Sequence, residues 1–145
     1  MTGNTVDSPA GHGIQAEYCS GLVIAANYVL GPDGHGIYLG GLNSLIGHSN
    51  VVTGNAIDSP SHLTTGAFDG IRIEDRSCAV CNNNIRIPTS GAVPAYAVRE
   101  GASANYNRVG NNTVTASPDG GAPGTAYWLK VGANSDFTGN IPAAV

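Results

Sequence analysis

Charge is scarce in this chain. Only 11% of its 145 residues are charged, with a formal net charge of −4. That is too little charge for a helical bundle. The negative sign gives no reason to expect nucleic acid or an anionic membrane as partner. Long apolar runs are missing too: there is no stretch of about 18 apolar residues, so no membrane-spanning helix is expected. The opening Met-Thr-Gly-Asn-Thr has neither the basic nor the apolar region of a secretory signal, and no such signal is expected in this chain. Cysteine is limited to Cys19, Cys78 and Cys81. An odd number makes a poor disulfide framework. Cys78-Ala-Val-Cys81 has the spacing of half a zinc site, but no second pair completes it. On a strand, residues three apart face opposite sides. Packed or free thiols are expected, with no metal and no cofactor.

What is present is glycine (21 residues), proline (8) and 41% hydrophobic residues. The turn formers are too many for long helices, and the apolar content argues against disorder. The letters also repeat. Asparagines recur at Asn4, Asn27, Asn55, Asn83, Asn112 and Asn140, at intervals of 23, 28, 28, 29 and 28. Three residues before them stand Ile24, Val52, Val80, Val109 and Phe137. Two residues after them stand Val6, Val29, Ile57, Ile85 and Val114, with Pro142 departing at the last. A second landmark is an apolar alternation: Ile14-Gln-Ala16, Ile37-Tyr-Leu39, Ile71-Arg-Ile73, Tyr96-Ala-Val98 and Tyr127-Trp-Leu129.

Alternation at period two marks strands, and Gly, Pro, Asn and Ser break the chain between them. Asparagine tolerates the left-handed backbone of a tight bend, and its amides can stack as a ladder. A meander of hairpins would not hold one landmark in phase over six occurrences. A solenoid would, each coil lying about 4.8 Å further along. The alternative is a β-sandwich with coincidental spacing. The G-I-x-[LIV] alternations and bends such as Gly54-Asn55-Ala-Ile57 resemble the right-handed parallel β-helix of the pectate-lyase-like superfamily, over nearly the whole chain. The expected fold is therefore an all-β, right-handed parallel β-helix of about five coils. It forms a single domain over 1–145, complete or part of a longer solenoid. That fold hosts lyases, hydrolases, epimerases and phage tailspikes, so it does not specify an activity.

If Ile14, Ile37, Ile71, Tyr96 and Tyr127 face inward, two outward rows follow. One is Gln15, Tyr38, Arg72, Ala97 and Trp128. The other is Glu17, Gly40, Glu74, Arg99 and Lys130, where Glu74 and Arg99 can pair laterally. Tyr38, Arg72, Glu74, Arg99 and Trp128 are the candidate ligand residues; such a surface suits a sugar chain or a subunit interface. The connections before each alternation vary in length, the longest including His62 and Asp69. A second insertion, Leu42–His48, widens the second coil.

Gly34-His35-Gly36 is similar to the G-H-G element of polygalacturonases, and Asp69-Gly-Ile-Arg72-Ile-Glu74 to their R-I-K element, with Glu74 in place of the lysine. The resemblance implies assisting roles for His35 and Arg72. The aspartates that would do the acid–base work have no counterpart: one coil earlier the chain reads Gly11-His12-Gly13-Ile14. The repeated GHGI then reads as punctuation of the repeat, with His12 and His35 stacked. His35, Arg72 and Glu74 stay as candidate catalytic residues. Asp33, Asp69, Glu74 and His62 are a further conceivable set.

The function expected is a structural and binding module of the phage tailspike or surface-fibre type. It would contact polysaccharide or neighbouring subunits, as a homo-oligomer (a trimer by the resemblance) at a virion or extracellular surface. The runner-up is a polysaccharide lyase or glycoside hydrolase, or a piece of one.

Overall fold

Short apolar triplets separated by Gly, Asn and Ser build strands and nothing longer. The computed structural model describes residues 1–40, 47–88, 91–116 and 127–141, and among these it contains fifteen strands and no helix. In chain order the first coils run β1 (Thr5–Asp7), β2 (Ile14–Glu17), β3 (Val23–Ala25), β4 (Tyr28–Leu30), β5 (Ile37–Gly40) and β6 (Val51–Thr53). Next come β7 (Ala56–Asp58), β8 (Ile71–Ile73), β9 (Ala79–Cys81), β10 (Asn84–Ile87), β11 (Val98–Glu100) and β12 (Arg108–Gly110). The last are β13 (Thr113–Ala116), β14 (Trp128–Leu129) and β15 (Asp136–Thr138). Every strand pairs in parallel with the strand three places along, giving three five-stranded sheets. Face one is β2, β5, β8, β11 and β14; face two is β3, β6, β9, β12 and β15; face three is β1, β4, β7, β10 and β13. This is a parallel β-solenoid.

The core is built of vertical rows. Ile14, Ile37, Ile71 and Val98 enter from face one, Ile24, Val52, Val80 and Val109 from face two, and Val29, Ile57, Ile85 and Val114 from face three. All are buried. Each stabilises the fold by roughly 1.5–3 kcal/mol relative to exposure.

Asn4, Asn27, Asn55, Asn83, Asn112 and Asn140 stand in line at one bend. Each of the first five donates from Nδ2 to Oδ1 of the next at 2.9 Å. Each also donates its backbone N–H to that same oxygen at 3.0 or 3.1 Å. The bend differs from expectation in one respect. The left-handed residue is the one before each ladder asparagine: Gly3, Ala26, Gly54, Asn82, Asn111 and Gly139 all have positive φ. The ladder position needs an amide that can both accept and donate, and the left-handed strain is left to its neighbour.

Two inward carboxylates had no counterpart in the apolar pattern. Glu100 is 1% exposed, and its oxygens accept from Asn107 Nδ2 and from the backbone N–H of Val131 and Gly132, each at 2.9 Å. Asp75 is fully buried and accepts from Gly47 N–H and Asn50 Nδ2, both at 2.9 Å. The three donors at Glu100 and the two at Asp75 stand in for the water that burial removes.

The register of face one corrects the expected rows. Val98, not Tyr96, pairs with Ile71, and Trp128 pairs with Val98. The strand triplet is Val98-Arg99-Glu100, hidden from apolar alternation because Glu100 faces inward. The outward row is thus Gln15, Tyr38, Arg72, Arg99 and Leu129. Trp128 sits in the core-facing row and packs against the core. Of the inserted segment Leu42–His48, residues 42–46 lie outside the described residues, as do Pro142 and the connection 117–126.

Candidate functional site

The repeated Gly-His-Gly places a row of polar side chains at the bend leading into face one. Its second glycine, and Gly70 in the coil that follows, are required by close approach between coils. A Cβ on Gly13 would lie 2.6 Å from Gly36 O, and one on Gly36 or Gly70 would lie 2.5 Å from Gly70 O or Ala97 O. None of the three has positive φ, so the need is for space rather than for a left-handed turn. The preceding row is His12, His35, Asp69 and Tyr96, each one coil from the next by the carbonyl bonds Gly13 N–H to His35 O, Gly36 N–H to Asp69 O and Gly70 N–H to Tyr96 O. Asp69 is the third-coil counterpart of the two histidines.

Each histidine serves as a coil-to-coil acceptor. His12 Nδ1 accepts from His35 N–H at 3.0 Å, and His35 Nδ1 accepts from Asp69 N–H at 2.8 Å. An Nδ1 that accepts has no proton of its own, so the ring proton is on Nε2 and the rings are neutral. Burial, followed by the Arg72 and Arg99 guanidiniums, pushes His35 down to about 3. Burial also lowers His12, against the pull of Glu17. The 3.5 Å approach of His35 Nδ1 to Asp69 Oδ2 is therefore not an ion pair. The rings stack: His12 and His35 are 4.9 Å apart between centroids, and Tyr38 lies over both at 5.1 and 5.6 Å. Phe68 meets both edge-on.

Asp69 is the centre of the charges. Its side chain is fully buried, Oδ2 accepts from Arg99 Nε at 2.9 Å, and a guanidinium nitrogen of Arg72 lies at 3.6 Å. Oδ1 is buried, with no hydrogen-bond partner among the described residues. Burial pushes Asp69 up to about 6, outweighing Arg99 and Arg72. Arg72 binds Glu74 Oε1 through Nε at 2.7 Å and through a terminal nitrogen at 2.5 Å. The Glu74 carboxylate occupies space that a Cβ on Gly101 would fill. Arg99 also lies over the Tyr96 ring, 5.1 Å from its centroid, a cation–π contact. Burial raises Tyr38, with Glu74 and Glu17 adding to the effect.

The fold thus brings His35, Tyr38, Arg72, Glu74 and Arg99 into one cluster, with His12, Phe68 and Asp69. The expected Glu74–Arg99 pair is replaced: Glu74 takes Arg72, and Arg99 takes Asp69. Trp128 faces the core instead of joining this row. Of the further conceivable set, Asp69 and Glu74 meet around Arg72, while His62 is exposed on the long connection. Among the described residues, no three metal-ligating side chains come together. Cys19, Cys78 and Cys81 are free thiols, Cys78 pushed up to about 11 by burial.

Comparison with protein-family models, with curated proteins and with solved structures finds no match.

Proposed function

We propose that the chain is a structural and binding β-helix module, in the manner of the shaft of a phage tailspike or surface fibre on the pectate-lyase-like pattern. Face one meets a polysaccharide, and face two packs laterally against copies of the chain. The observation that carries this reading is the separation of chemistry between the faces. The outward residues of face two over its first three strands are Val23, Ala25, Val51, Thr53, Ala79 and Cys81, all small and uncharged. Val23 remains 45% exposed. An uncharged patch with regular ridges about 4.8 Å apart fits a surface of the same period, and a second copy supplies one. Face one instead gathers Gln15, Tyr38, Arg72 and Arg99, the mixture of aromatic plane and polar groups that a sugar chain needs.

One arrangement favours the second reading, a polysaccharide lyase or hydrolase: Asp69 and Glu74 approach a common guanidinium. Hydrolysis with inversion requires a water and a scissile bond between two carboxyls. Here Arg72 fills that gap, which favours binding over cleavage. The test is retention on immobilised polysaccharides of several charge types. Tyr38→Ala is expected to abolish retention with folding intact. Retention unchanged in Tyr38→Ala and in Arg99→Gln removes face one as the ligand face. Cleavage of a polysaccharide that is lost in His35→Asn, with folding intact, favours the enzyme.

A further inference from the structure

Arg72 and Arg99 are register partners on adjacent strands of face one, about 4.8 Å apart in the backbone, and their side chains are 18% and 25% exposed. Two guanidiniums at that spacing form a receptor for one anionic group. The group they now share is Asp69 Oδ2, reached from beneath the face. Asp69 is poorly provided for as a permanent anion. It is fully buried, its Oδ1 has no hydrogen-bond donor among the described residues, and its nearest imidazole presents an unprotonated Nδ1. The other charged or titratable groups around it are Glu74, held by Arg72, the neutral His12 and Tyr38 stacked on His35, and Tyr96, whose ring lies against Arg99 and whose backbone N–H helps to hold the Asp69 carboxylate down.

We propose that Asp69 is the internal occupant of an anion site formed by Arg72 and Arg99. When Asp69 takes a proton from solvent, the acidic group of a saccharide replaces it. The proton forms an O–H bond at a carboxylate oxygen, both guanidiniums keep their charge, and the local balance of Arg72, Arg99, Asp69 and Glu74 moves from zero to +1. Burial of Asp69 sets this exchange at mildly acidic pH. The ligand class is a sugar carrying a carboxylate or sulfate. This inference rests on face one being the ligand face.

The test uses dextran sulfate and uncharged dextran as probes, with the wild type, Asp69→Asn and Arg99→Gln. Dextran sulfate is expected to bind wild type at least tenfold more tightly near about pH 5 than near about pH 7.5. Asp69→Asn should bind at both pH values as wild type does at the lower one, and Arg99→Gln at neither. Without any ligand, the ¹⁵Nε resonance of Arg99 should shift over that range in wild type and stay fixed in Asp69→Asn. A resonance that stays fixed in wild type overturns the exchange. Equal binding of dextran and dextran sulfate overturns the anion site and leaves face one as a sugar face. A moving resonance with neither polymer bound contradicts both the anion site and the ligand face.

Discussion

Asn83 Oδ1 accepts both the backbone N–H and the side-chain Nδ2 of Asn55, at 3.0 and 2.9 Å, in a bend where both residues are at most 1% exposed. One side-chain oxygen thereby satisfies two buried donors of the coil before it. Asn83→Leu strands the N–H and leaves Nδ2 only its bond to Ile24 O, and should destabilise the protein by on the order of 2–4 kcal/mol. Asn140→Leu, at a half-buried rung, should have a smaller effect. Urea denaturation of the two variants checks the order.

Gly36 and Gly54 separate two reasons for glycine. At Gly54, φ is +63° and no described residue lies within 4 Å of a new Cβ, so Gly54→Ala should cost only about 1 kcal/mol of backbone strain. At Gly36 a Cβ would meet Gly70 O at 2.5 Å and crowd the Ile57 methyl. Gly36→Ala should cost at least about 1–3 kcal/mol, or prevent folding. Equal melting temperatures would contradict this account of the GHG repeat.

Glu100→Gln keeps the shape of the side chain but replaces an acceptor by an NH₂ facing the N–H donors of Val131 and Gly132, or that of Asn107. A loss of about 2–4 kcal/mol is expected. Hydrogen exchange at Val131 and Gly132 should quicken first.

His35 and Asp69 pull the pH dependence of stability in opposite directions. His35 is pushed down to about 3 when folded, so the unfolded chain binds the extra proton, and stability from this group falls as pH drops from 6.5 toward 3. Asp69 is pushed up to about 6, so the folded chain binds the extra proton, and stability from this group falls as pH rises from 3.8 through about 6. Over the shared window the two slopes, each at most about 1.4 kcal/mol per pH unit, largely cancel. Asp69→Asn should leave stability rising with pH there, and His35→Asn should leave it falling. Denaturation at several pH values reads both signs.

The solenoid was legible because its bend demands the same amide in every coil, so Asn27, Asn55, Asn83 and Asn112 repeat as letters. Alternation marked face one, and the apolar positions three before and two after each asparagine became the core rows of faces two and three. What stayed hidden has the opposite property. The row containing Asn50 and Asn107 also holds Leu22, Cys78 and Ser135, all joined by bonds to the backbone N–H, so no single letter recurs. Glu100 took a core position that an apolar template rejects, which moved the apparent register of the fourth coil onto Tyr96. In Tyr127-Trp128-Leu129 three successive apolar residues fit either parity, and Trp128 took the inward one. Asp69 escaped as the centre of the cluster because it replaces histidine in the GHG row, a substitution visible only once the coils are superposed.

The central claim is that face two holds copies of the chain together while face one stays open. Light scattering on the wild type and on Val51→Arg tests it most directly, because Val51 points outward from the middle strand of the uncharged patch. The account predicts a wild-type mass that is a small multiple of 14.6 kDa, a fall to that single-chain mass in Val51→Arg, and an unchanged assembly in Tyr38→Ala. A wild type already at the single-chain mass, or an assembly that Val51→Arg leaves intact, would contradict it.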